Sequence, residues 1–218
     1  MKNLLTKAFI LSLITIFYNL GEGFISVYFG AGDETLALLG FGVDSFVEVI
    51  SGIGIAHMIF RMKYSNIQTR DDFEKTALKI TGSVFFLLTA GLIIGSVIIL
   101  INDTKPTTTI PGIIIAVISI ATMYWLMSSK LKVGKELHSD AIIADANCTK
   151  TCFYLSFILL ASSGLHELFN IAYFDIFGSL GIAYFALKEG REAFEKVKSG
   201  NLMCNCEEHH DKLSPAEK

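Results

Sequence analysis

Six stretches of this chain are too long and too apolar to be ordinary core segments of a small soluble protein. They lie near residues 4–29, 35–60, 77–101, 110–129, 141–163 and 172–188. Each approaches the ~20 residues that cross about 30 Å of hydrocarbon as an α-helix. Composition agrees: 52% of the residues are hydrophobic and 18% charged, against roughly 25% charged in soluble domains. Glycine recurs through the blocks, as membrane helices tolerate, and spacings such as Gly91 to Gly95 suggest close helix contacts. The expected fold is an all-α membrane protein with six transmembrane helices over residues 1–198, followed by a flexible cytoplasmic tail over 199–218.

The first block is too long for a signal peptide, Lys7 interrupts it, and no A-x-A cleavage site follows. It is therefore read as a span, with the mature chain starting near Met1. Lys2 and Lys7 precede or open it. Further basic residues gather at alternate connections: Arg61, Lys63, Arg70, Lys75 and Lys79; then Lys130, Lys132 and Lys135; then Lys188, Arg191, Lys196 and Lys198. The opposite connections carry only Lys105. The positive-inside rule then places both termini in the cytoplasm of a cell whose inner membrane holds the chain.

Two polar constellations interrupt the apolar blocks. Asp44 and Glu48 are four residues apart, as are Cys148 and Cys152. On a helix each pair shares one face. A carboxylate near the bilayer centre costs on the order of 2.5–3.5 kcal/mol on insertion scales, so two on one face call for a function. Two carboxylates and two thiols facing each other would form a mixed oxygen–sulfur site for a divalent metal. Thiolates favour Zn, Cu(I) and similar ions over Mg or Ca. Asp145 stands one turn before Cys148 and is expected beside the site or at its entrance. Asn19 and Glu22 are candidates for lining an ion path. Lys150 lies about 200° from Cys148 around the helix and should point away. His57 reads as an interfacial residue, and His166, Glu167 and Asp175 as solvated helix ends.

The four cysteines do not suggest disulfides: two lie in one helix and two in a tail on the reducing side. That tail carries Cys204, Cys206, His209 and His210, a set able to capture metal. No phosphate-binding loop, nucleophile elbow or nucleic-acid motif is visible. An enzyme, a bound prosthetic group and a nucleic-acid partner are therefore not expected.

The two constellations resemble a known pattern. Asp44-Ser45-Phe46-Val47-Glu48 is similar to the Asp-Ser-x-x-Asp of the cation diffusion facilitators, or cation efflux family. Ala144-Asp145-Ala146-Asn147-Cys148-Thr149-Lys150-Thr151-Cys152 resembles that family's Ala-Asp-Ala-x-His-x-x-x-Asp. Cys148 then matches the family histidine and Cys152 the family aspartate. Asp175 and the run Lys188-Glu189-Gly190-Arg191-Glu192-Ala193 look alike too. The resemblance covers about residues 4–198 and implies a short form lacking the family's C-terminal cytoplasmic domain. It further implies a homodimer, alternating access, proton antiport and efflux of a divalent heavy metal, Zn²⁺ or Cd²⁺ first, with Asp44, Glu48, Cys148 and Cys152 as ligands. The alternative is a membrane metal sensor or partner-binding subunit that does not transport.

Overall fold

A computed structural model describes residues 2–32, 35–64, 72–102, 109–169 and 173–199. Among them the secondary structure is entirely helical: α1 (Lys2–Gly32), α2 (Leu36–Tyr64), α3 (Asp72–Asn102), α4 (Ile110–Glu136), α5 (Asp140–Phe169) and α6 (Tyr173–Ser199). At 1.5 Å per residue, helices of 27–31 residues are about 40–46 Å long. Each runs past the apolar block that announced it.

Five helices, α1 to α5, are long and apolar enough to cross a membrane. The expected sixth, α6, falls short of that measure. Its uncharged stretch is confined between Asp175 and Lys188, nearer the length of a covered helix than of a lipid-exposed span. It nonetheless runs the length of the bundle, packed on α3, α5 and α2. Alternation of direction brings the start of α1 and the end of α6 to the same end of the bundle, called here the terminal end.

The bundle is apolar outside, and its interior combines apolar clusters with an unusual number of buried polar side chains. Phe17, Leu87, Ile101 and Leu168 are 69–78% exposed. Asn19, Asp44, Ser119, Lys130, Asp145, Ser156 and Ser179 are buried. An apolar surface of this extent needs lipid around it.

Three helix pairs make the closest packing: α1 with α2, α4 with α5, and α3 with α6. The first two are hairpins in sequence. The α4–α5 turn spans only Leu137 to Ser139. His138 adopts φ 47°, and the N–H groups of His138 and Ser139 return to Lys135 O (3.2 Å) and Gly134 O (3.0 Å). This is the left-handed helix stop usually given to glycine. The third pair depends on small residues: a Cβ on Gly82 would meet Gly190 O at 3.2 Å, and one on Gly190 would meet Gly82 O at 3.3 Å. Of the two glycines singled out by spacing, Gly95 receives Leu36, but Gly91 has nothing within 4 Å and makes no close contact among the described residues.

Of the helix-end residues expected to be solvated, Glu167 is exposed but Asp175 and His166 are buried. The Asp175 carboxylate is buried and accepts the backbone N–H groups of Leu36 (2.9 Å) and Ala37 (3.1 Å), capping α2 from α6. It meets two of the donors that a helix N-terminus leaves open. His166 is buried as well. Glu167 accepts from the Thr109 hydroxyl at 3.0 Å, joining α5 to the start of α4. These contacts tie the helices together at the end opposite the termini. His57 is half-buried near the end of α2, its ring 4.8 Å from that of Phe73.

Candidate metal-binding cavity

The central helix α2 touches α1, α3, α5 and α6, and α5 crosses it near mid-length. Here the i, i+4 spacing takes effect. Asp44 and Glu48 face inward from α2, and Cys148 and Cys152 from α5. All four line one cavity of about 60 Å³. Asn19 joins from α1, Thr81 from α3, Lys130 from α4, and Glu189 and Lys196 from α6, so every helix contributes.

Apolar clusters lie on both sides of the cavity: one including Leu38, Phe41, Leu92 and Ile182 toward the end opposite the termini, and one including Leu11, Met58, Met123, Leu126 and Ile142 toward the terminal end. Toward the terminal end the lining continues through Ser12, Ile55, Leu78, Lys130 and Lys196. The cavity thus occupies the terminal half of the bundle.

Glu48 is the most restrained of the candidate ligands. Asn19 Nδ2 donates to its Oε2 at 2.6 Å, and the Cys152 thiol donates to its Oε1. One turn further along, Glu22 accepts from Tyr18 (2.9 Å) and Ser45 (3.2 Å). Glu22 is buried but is not among the residues lining the cavity. Asp145 does line it and is paired: Lys130 Nζ lies 3.2 Å from its Oδ1 and 3.1 Å from its Oδ2, and donates to Thr149 Oγ1 at 3.0 Å. Lys130 was read as a loop residue. It is instead 2% exposed inside α4, because α4 continues beyond its apolar block. Lys150 points away as its helical angle requires, exposed with its ammonium 5.8 Å from the Tyr154 ring centre.

Two further residues were not singled out as ligands or lining. Glu189 accepts from Thr151 Oγ1 at 2.9 Å, and Lys196 Nζ lies 3.5 Å from Cys148 Sγ. Both lie past the apolar block of the sixth helix, where an interior position has no hydropathy signature. Their one signal was position: Glu189 in the run from Lys188 to Ala193, and Lys196 among the basic residues that follow the block.

Two buried polar atoms of the lining, Asn19 Oδ1 and Thr81 Oγ1, have no hydrogen-bond partner among the described residues. Buried polar atoms without partners are costly unless something else meets them. The side chains have not converged on one point, however. No group of three or more His, Cys, Asp and Glu is close enough to hold an ion among the described residues. Cys204, Cys206, His209 and His210 lie outside the described residues.

Residues 8–199 match the family model described as the cation efflux transmembrane domain. The chain belongs to the cation efflux family. No curated protein matches it closely enough to add a relative. Membership makes the chain a multi-pass membrane protein of a transporter family rather than an enzyme family, with metal cations as the cargo class and the bilayer as its medium. The cavity lies wholly within the matched cation efflux domain.

Proposed function

We propose that this chain exports a soft or borderline divalent cation, Zn²⁺ or Cd²⁺, across the inner membrane by proton antiport. The observation that carries the reading is that Asp44, Glu48, Cys148 and Cys152 line one cavity. Two oxygen and two sulfur donors suit ions of that class. Four acidic side chains and two lysines line the cavity, and the surplus of acid attracts a cation.

In this reading α6 is the sixth span, with Phe177 and Tyr184 on its exposed face, and both termini face the cytoplasm with the basic residues around them. Cargo enters the cavity from the terminal end, toward which its polar lining continues through Ser12, Lys130 and Lys196, and the Asp175 cap ties the helices at the other. Binding draws Cys148 in beside the two carboxylates, where Cys152 already meets Glu48. Thiols and carboxylates bind metal only when deprotonated, so loading releases protons. Reprotonation from the opposite side, once the helices have rearranged, ejects the cargo. A homodimer held through membrane helices completes the proposal, and the tail cysteines and histidines serve as an accessory metal-capturing segment.

Flux in sealed proteoliposomes tests it, with Zn²⁺, Cd²⁺, Co²⁺ and Mn²⁺ supplied in turn and lumenal pH followed alongside. The expected result is uptake of Zn²⁺ or Cd²⁺ with matched proton movement. Binding of either ion without flux would favour the sensor reading instead.

A further inference from the structure

The two lysines of the cavity are held differently. Lys130 is committed to Asp145 and Thr149 in a buried pair. Lys196 stands between two sites. Its Nζ is 3.5 Å from Cys148 Sγ, and 4.0 Å from a carboxylate oxygen of Glu192, one turn earlier on α6. Glu192 is not among the residues lining the cavity, and its side chain is 24% exposed. A lysine ammonium on a flexible four-carbon stem can move between two such partners without any shift of the helix.

We propose that Lys196 is a tethered cation that stands beside Cys148, where cargo would bind, and withdraws to Glu192 when a divalent ion arrives. This rests on the reading of Cys148 as a cargo ligand and adds the residue that sets how tightly cargo is held. An ammonium at hydrogen-bonding distance from the sulfur stands where an incoming ion would stand. The two positive charges cannot share that place in a poorly screened interior. Displacing Lys196 therefore subtracts from cargo affinity on every loading. That subtraction suits a transporter, since cargo must bind well enough to enter and weakly enough to leave. Glu192 limits the penalty by giving the displaced ammonium a partner, a seat it shares with Lys188 at 3.7 Å.

The experiment is equilibrium Cd²⁺ binding to the full-length chain purified in detergent, against a competing chelator. Cadmium–thiolate absorption at saturation serves as a second readout. Lys196→Met keeps the stem and removes the charge, and should tighten Cd²⁺ binding by about tenfold or more, because a repelling unit charge a few ångström away is removed. Lys196→Arg should stay near the parent value. Arg191→Gln, the same charge change at an exposed position of α6, should also leave affinity unchanged. Glu192→Gln should weaken binding several-fold in the parent and have no effect in the Lys196→Met background, because Glu192 acts through Lys196. Lys196→Met binding within twofold of the parent, or an equal gain from Arg191→Gln, would overturn the proposal. If Lys196→Met does not purify, unchanged binding in Glu192→Gln overturns it equally. Absence of thiolate absorption from the parent protein is a different failure, which removes Cys148 as a ligand and the proposal with it.

Discussion

The side-chain amide of Asn19 donates to Oε2 of Glu48 at 2.6 Å, linking two residues 29 positions apart across the α1–α2 crossing. The Cys152 thiol holds the other carboxylate oxygen. Glu48 is therefore oriented from two helices before any cargo arrives. Partners that orient a metal ligand are typically worth about 10–100-fold in affinity. Asn19→Leu should weaken Cd²⁺ binding within that range while keeping the chain in the membrane. Unchanged affinity in a binding titration would show that Glu48 needs no such support.

Asp44→Ala is expected to abolish export without loss of membrane insertion. The substitution removes a buried carboxylate from the cavity, and with it both charge and geometry. The fold loses a desolvated acid and should be no less stable. Metal tolerance of a sensitised cell lacking its own exporters gives the readout. Parent-like tolerance from Asp44→Ala would remove this residue from the proposed ligand set.

The Lys130–Asp145 pair is a structural tie between α4 and α5, with both side chains at most 6% exposed. Breaking a buried pair from one side leaves a charge without its partner, which costs about 3–5 kcal/mol. Lys130→Met and Asp145→Asn should each lower the thermal midpoint in detergent sharply. The double change Lys130→Met with Asp145→Leu should recover most of the loss, because it leaves neither charge behind. A double variant as unstable as the two single losses combined would indicate that the pair does more than join the helices.

Metal preference should follow the thiols. Replacing Cys148 by His and Cys152 by Asp exchanges soft donors for harder ones, and should lower Cd²⁺ flux relative to Zn²⁺ or Mn²⁺. The pH response has a definite sign. An unperturbed thiol loses its proton near pH 8.5 and an imidazolium near 6.5, so the rise of metal binding with pH should move to lower pH in the variant. Cys→Ala at both positions that leaves the Cd²⁺ to Zn²⁺ flux ratio unchanged would reduce the two sulfurs to packing.

The α3–α6 contact should be intolerant of bulk. A Cβ on Gly190 already stands 3.2 Å from Phe85 Cβ and 3.3 Å from Gly82 O. Gly190→Leu must push the helices apart, at a cost of about 1–3 kcal/mol for overpacking. It should also disturb the cavity through Glu189, the preceding residue. The same change at Gly91, which has open space around it, should be nearly neutral in thermal melts, and comparable losses at the two positions would contradict the packing described here.

Local properties of the sequence were enough for the helices and for the faces that carry the chemistry. Hydropathy marked the six segments, because lipid demands a continuous run of apolar residues whatever the neighbours are. Four-residue spacing put Asp44 with Glu48, and Cys148 with Cys152, because helical period is a property of the backbone alone. Matching residues in a known motif then suggested one shared site, and the four side chains line one cavity. The tertiary structure decided what hydropathy could not reach. A membrane helix is apolar toward lipid and largely apolar toward its neighbours, so periodicity says little about its rotation in the bundle. Lys130 finding Asp145, Asp175 capping α2, and Glu189 and Lys196 reaching the cavity from α6 depend on how far one helix slides and turns against another. Those shifts come from close packing at Gly82 and Gly190 and from the three-residue α4–α5 turn, features that appear only once the chain is folded.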